Sequence, residues 1–304
     1  MTMTMRDQMA LTITDLFEQD ERVALVLAEI SRSLFDPLLE RYSTRAFNLG
    51  ILEQTMIGVA AGLALEGFIP FVHSIAPFLV ERPFEQLKDD FCYQRLGGNF
   101  ISNGASYDYS TEGMTHHGPA DVPILGSLPG MQIVVPGTAS ELDRLLRETY
   151  ANGSPTYFRT STSTNPVDFP VRFGRLEVVR RGTREMVPTV IAVGPLLGRV
   201  LEAVEDLDVN VLYCTTVAPF DVETLRALHR GSEVIVVEPY YEGALVPAIS
   251  GALKHLPQRI EAIGVPHRVL NHYGASWQHD EALGLTSHGI RRRIEHFLSS
   301  SAGV

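Results

Sequence analysis

Phe47-Asn48-Leu49-Gly50-Ile51-Leu52-Glu53-Gln54 runs directly into Thr55-Met56-Ile57-Gly58-Val59-Ala60-Ala61-Gly62-Leu63-Ala64-Leu65. The first stretch reads as a short apolar strand ending near Leu49, with Gly50 supplying a tight turn. The second is apolar almost all round, which predicts a buried helix. Glu53 stands at the mouth of that helix. A carboxylate there is costly to bury without a partner, although the positive end of a helix macrodipole favours it. Strand, turn and small-residue helix form the repeating unit of a parallel α/β sheet.

The same alternation extends outward along the chain. Residues 22–28, 69–72 and 131–135 read as strands, 78–94 and 139–150 as helices, and 155–159 as a closing strand. Thr160-Ser161-Thr162-Ser163-Thr164-Asn165-Pro166 is polar and lacks apolar periodicity, so it opens a linker. Buried strands resume at 189–194, 209–213 and 233–237. The fold class is therefore α/β with two domains, each a mostly parallel sheet with helices on both faces. Residues 1–165 form the first domain, 166–186 the linker and 187–304 the second domain.

Composition excludes several classes of partner. The 304 residues are 45% hydrophobic and 20% charged, as in ordinary globular proteins, with a formal net charge of -11. Nucleic-acid binders show a basic face, and the runs Arg180-Arg181 and Arg291-Arg292-Arg293 are too short to make one. No apolar stretch is long enough to cross a bilayer. The N-terminus lacks the apolar core of a signal peptide, which points to the cytoplasm. Cys92 and Cys214 lie far apart, outside any metal-ligand spacing, and read as buried reduced thiols.

Open α/β sheets bind ligands at the carboxyl ends of their strands. Four features fall there: Glu53, the run Pro77-Phe78-Leu79-Val80-Glu81-Arg82, the loop Thr111-Glu112-Gly113-Met114-Thr115-His116-His117-Gly118, and Arg159. No Cys or further His accompanies His116-His117 at ligand spacing, so no metal site is assigned to this chain. A loop histidine offers a hydrogen bond to a small polar substrate, or is simply solvated. Taken singly, Phe78 is ordinary core and Arg159 a surface ion pair.

Together these segments resemble the transketolase-type thiamine diphosphate enzymes. The resemblance rests on Gly50-Ile51-Leu52-Glu53-Gln54, Ala76-Pro77-Phe78-Leu79, Arg82-Pro83-Phe84-Glu85-Gln86 and Glu112-Gly113-Met114-Thr115-His116. Gly130-Met131-Gln132-Ile133-Val134-Val135-Pro136 and Pro155-Thr156-Tyr157-Phe158-Arg159 complete it in the family's order. Residues 45–159 are similar to the pyrimidine-binding domain, and the chain from about Pro188 is similar, more loosely, to the C-terminal domain. The resemblance implies that Glu53 hydrogen-bonds N1′ of the cofactor's aminopyrimidine, a task that burial of the carboxyl would assist. It implies that Phe78 stacks on that ring, that Arg82 helps order the cofactor pocket, and that Ile30 bends the cofactor. His116 and Glu112 would face substrate, and Arg159 would grip a substrate phosphate.

The family binds the diphosphate through Mg2+ held by a Gly-Asp-Gly…Asn segment, and no Gly-Asp-Gly occurs here. The resemblance therefore implies the C-terminal, β-like subunit of a split transketolase. Its magnesium ligands lie on an N-terminal, α-like partner, in an assembly such as α2β2. The implied reaction moves a two-carbon ketol unit from a ketose donor to an aldehyde acceptor, within carbohydrate metabolism. Departures from the family pattern concern the substrate. Thr160 follows Arg159 where a second basic residue is common, Ile75 replaces an aromatic, and Glu112 stands where Asp is usual. Leu27-Ala28-Glu29-Ile30-Ser31 replaces a Gly-rich turn. They imply an unphosphorylated or atypical acceptor in specialised metabolism. Two alternatives remain: a β-type subunit of a 2-oxo acid dehydrogenase, and a non-catalytic scaffold.

Overall fold

The structure, a computed structural model, describes residues 3–300. Twelve strands build two sheets. In chain order they are β1 (Val23–Leu27), β2 (Ala46–Asn48), β3 (Ile69–Ile75), β4 (Gly98–Asn103), β5 (Gln132–Val134), β6 (Pro155–Arg159), β7 (Leu176–Arg180), β8 (Thr189–Val193), β9 (Asn210–Cys214), β10 (Thr216–Ala218), β11 (Glu233–Tyr241) and β12 (Arg259–Val265).

The first sheet has the order β10-β5-β6-β4-β3-β1-β2, and every pair is parallel except β10 with β5. The second has the order β12-β11-β8-β9-β7, parallel except for β7 with β9. The two mostly parallel sheets agree with the α/β class read from sequence. β10 comes from the second half of the chain yet completes the first sheet, so the halves interlock.

Side chains alternate across the strands. Val23, Leu25 and Leu27 of β1 pack against the N-terminal helix Met5–Gln19 through Met9, Ile13 and Phe17. Val26 points the other way, into a core with Met56, Ile57, Val72 and Leu79. The sequence reading names neither that N-terminal helix nor β4. β4 is buried at every position but reads Gly-Asn-Phe-Ile-Ser-Asn, a polar pattern. Tertiary hydrogen bonds satisfy it: Asn99 donates to the Tyr150 carbonyl, and Ser102 Oγ lies 2.9 Å from the Tyr157 hydroxyl.

Two further expectations are corrected. The single helix over 78–94 is three pieces, Ala76–Val80, Phe84–Gln86 and a π-helical Leu87–Tyr93. The break coincides with Pro83, which lacks the N–H that would carry the ladder across. The helix after Gly50, Glu53–Leu65, is buried only along Glu53, Met56, Ile57, Ala60 and Ala61. Ile51, Leu52 and Leu65 are more than half exposed, as is Tyr93. Exposed large apolar side chains thus stand at both ends of this helix, Ile51 and Leu52 before it and Leu65 at its close.

Candidate functional site

The connection from β1 goes to β2 on one side, and the chain then crosses to β3 on the other. Such a reversal opens a crevice beyond the strand ends. Ile30 follows β1, Glu53 follows β2, and Phe78 and Arg82 follow β3. Gly50 makes the turn with φ +78°, and Leu52 donates its N–H back to the Gly50 carbonyl at 2.8 Å. Glu53 thus becomes the first residue of its helix, in the macrodipole's favourable end.

The Glu53 carboxylate is 6% exposed and accepts a hydrogen bond from Arg82 Nη1 at 2.7 Å, whereas the Arg82 side chain is 42% exposed. The Arg82 guanidinium carbon lies 3.6 Å from the centroid of the half-buried Phe78 ring. The Phe78 ring also meets His116 in a T-shaped contact, with centroids 5.1 Å apart and planes at 65°. Glu53, Arg82, Phe78 and His116 therefore form one continuous chain of contacts.

His116 sits in the 3-10 turn Met114–His116, where Thr115 Oγ1 lies 2.9 Å from its Nδ1 and leaves Nε2 outside that contact. Gly118 brings this loop against the Phe78 helix. A Cβ at Gly118 would stand 2.9 Å from the Ala76 Cβ and 3.2 Å from Pro77 Cδ, so only glycine allows the approach.

The other sequence-derived residues are placed differently. Ile30 is half-buried in a tight turn whose neighbours Glu29 and Ser31 adopt φ +67° and +59°. Glu112 is exposed at the end of the turn Ser110–Glu112 and makes none of the contacts that join the cluster.

Arg159 departs most from expectation. It is 1% exposed and paired with Asp121, itself 1% exposed, at 2.7 Å. Its Nη2 donates to Ser106 Oγ at 2.9 Å, and the guanidinium packs 5.5 Å from the Tyr240 ring. Tyr157 also donates to Asp121, at 2.8 Å. Burial of a charge requires such a partner, and Arg159 spends its charge inside the protein. Where the resemblance implied a phosphate grip, the guanidinium makes a buried ion pair at the seam between the sheets.

Sequence reasoning missed Asp121, which lies 38 residues from Arg159 with no local signal to link them. It also missed His73, fully buried in β3, with Nδ1 2.8 Å from the Ile101 carbonyl and Nε2 2.8 Å from Ser31 Oγ. Burial pushes its imidazole down to about 4. The Glu238–Gly243 segment joins the seam: Tyr241 donates its N–H to the Pro119 carbonyl at 2.9 Å. Burial lifts the Glu238 carboxyl to about 7. Cys214 is buried and Cys92 half-buried, both free. Among the described residues no cluster of metal-binding side chains occurs, and no helix is long and apolar enough to cross a membrane.

Residues 1–166 match the transketolase pyrimidine-binding domain model, and residues 174–290 match the transketolase C-terminal domain model. The chain belongs to the transketolase family. Within that family it is 38% identical over 292 residues to an "Uncharacterized 33.6 kDa protein in fasciation locus" of Rhodococcoides fascians, covering 94% of this chain and 92% of the relative. It is 27% identical to one of the subunits of the apulose-4-phosphate transketolase of Phocaeicola vulgatus, over 86% of this chain and 90% of that one. The 1-deoxy-D-xylulose-5-phosphate synthase of Gloeobacter violaceus is 31% identical over 96% of this chain. This transketolase-family chain spans only 48% of that longer relative. A solved structure titled "Split gene transketolase, inactive beta4 tetramer" superposes with a TM-score of 0.85 at 25% identity, covering 98% of this chain and 99% of the other. The chain is thus a split-transketolase-type subunit in sequence and fold.

Proposed function

We propose that this chain is the glutamate-bearing subunit of a thiamine-diphosphate-dependent transketolase. It would transfer a two-carbon ketol unit from a ketose donor to an aldehyde acceptor, and only with a second polypeptide that supplies the Mg2+ and diphosphate site. The observation that carries this reading is the contact chain Glu53, Arg82, Phe78 and His116 on one rim of the β1–β3 crevice. The residues fit the cofactor's aminopyrimidine: a flat, nitrogen-rich cation already lies between the carboxylate and the aromatic face, in the form of the Arg82 guanidinium.

When bound, thiamine diphosphate supplies a nucleophilic thiazolium carbon and the electron sink for breaking a carbon–carbon bond. Glu53 holds a proton at the pyrimidine N1′ from a site nearly shielded from water. Phe78 fixes the plane of that ring by stacking. His116, in contact with Phe78, presents its imidazole to a substrate hydroxyl or carbonyl oxygen. The exposed Ile51 and Leu52, adjoining this rim, receive the partner subunit, in an arrangement such as α2β2 in the cytoplasm. With Arg159 neutralised by Asp121 and Thr160 beside it, neither position offers a free cation to a phosphate. That favours an unphosphorylated or atypical acceptor.

The test is reconstitution with a polypeptide from the same genome that carries a Gly-Asp-Gly…Asn segment. Ketol transfer is expected from the mixture with thiamine diphosphate and Mg2+, and from neither chain alone. Release of CO2 from a 2-oxo acid instead would assign the pair to the 2-oxo acid dehydrogenases. A stable complex lacking both activities would leave a scaffold.

A further inference from the structure

Two contacts define a seat for a planar heterocycle in this half-site, the Glu53 carboxylate and the face of Phe78, and Arg82 holds both at once. A guanidinium carbon 3.6 Å from a ring centroid lies over the ring face, since an approach in the ring plane would bring it against the ring's own hydrogens. From there Nη1 reaches Glu53 Oε1 at 2.7 Å. A guanidinium is flat and presents an N–C–N edge of hydrogen-bond donors. A protonated 4-aminopyrimidine is likewise flat and presents one N–H donor, at N1′, to a carboxylate.

We propose that Arg82 is the half-site's own ligand. Its guanidinium occupies the place of the aminopyrimidine and closes the site until cofactor and partner displace it. This rests on the reading of Glu53 and Phe78 given above, and it assigns Arg82 the opposite role to that of a cofactor-ordering residue. Opening leaves the Glu53 carboxylate, 6% exposed, in need of a new cation, which the incoming pyrimidinium supplies. Arg82 is 42% exposed, so its side chain can leave for water without stranding a buried charge of its own. A competent state populated only in part lowers apparent affinity by that fraction, and here the fraction is the time Arg82 spends out of the seat.

Calorimetric titration of the isolated full chain with 4-amino-2-methylpyrimidine and with thiamine tests this directly. Removal of the internal competitor in Arg82→Ala should tighten both ligands by about tenfold or more. Methylguanidinium should then compete with the pyrimidine in Arg82→Ala far better than in the unaltered chain. Adding Glu53→Gln to Arg82→Ala should erase the gain. Arg82→Met preserves the aliphatic stem and should behave as Arg82→Ala does, should the smaller side chain impair folding. Equal or weaker binding by both variants would overturn the proposal, as would a gain that survives Glu53→Gln. None of these readouts needs catalysis, so absence of ketol transfer in the reconstituted pair would overturn the functional reading while leaving this one standing or falling by itself.

Discussion

Arg82 Nη1 and Glu53 Oε1 lie 2.7 Å apart, and the two side chains differ sharply in access to water, 42% exposed against 6%. The acid is held in the wall and the base is free to move. Substitution of each therefore has a different outcome.

Under the proposed function, Glu53→Gln removes the group that shares a proton with the pyrimidine. Steady-state kinetics of the reconstituted pair should show turnover lower by roughly two to four orders of magnitude, the usual worth of general acid–base assistance. Arg82 can turn to solvent, so the unfolding free energy should change by under about 1 kcal/mol. A large loss of stability with turnover intact would remove Glu53 from the chemistry.

Phe78→Ala deletes the stacking face. Aromatic stacking is worth roughly 1 kcal/mol, so cofactor should bind the reconstituted pair about five- to tenfold more weakly, measured by titration. Unchanged affinity would show that the ring binds elsewhere.

Arg159→Met leaves Asp121 buried without its cation and should cost about 3–5 kcal/mol in urea unfolding. The double substitution Arg159→Met with Asp121→Leu removes both charges and should recover part of that loss. If Arg159→Met instead melts normally and only raises KM for a phosphorylated substrate, the residue is a phosphate ligand after all.

Leu52→Asp changes a residue more than half exposed immediately before the helix Glu53–Leu65. The isolated chain should keep its stability to within about 0.5 kcal/mol. Association with the partner, followed by size-exclusion chromatography, should weaken severely. Intact assembly would place the partner on another surface.

His73 sets an acid limit on stability. Its pKa falls from 6.5 to about 4 on folding, so the unfolded chain binds the extra proton between those values. Stability from this group is fully present above pH 6.5 and is lost as pH falls toward 4, by about 3 kcal/mol. A His73→Gln chain should show a flatter stability profile across that window; an unchanged slope would assign the dependence to other groups.

Much of the fold is legible because buried parallel strands write themselves as apolar runs. The sequence reading gives β6 to the residue, and β1, β5 and β8 to within a residue or two of their ends. β4 escapes it, because its Asn and Ser side chains find partners on residues about fifty positions away, and polarity in sequence then imitates a loop. The candidate site divides the same way. Glu53 and Phe78 belong to contiguous motifs, and their meeting through Arg82 agrees with reading them as one site. Arg159 also belongs to a motif, yet its role turns on Asp121, which no local pattern marks.

The sequence by itself determined the α/β class, the family and the placement of chemistry at strand ends, since these follow from hydrophobic period and short motifs. Only the tertiary structure decided which charges are spent internally and which face outward. The Arg159–Asp121 pair, the exposed apolar side chains at the ends of Glu53–Leu65 and the Arg82 guanidinium over Phe78 are such decisions. Electrostatic pairing and burial depend on distances between residues far apart in the chain, and a linear pattern carries no record of those distances.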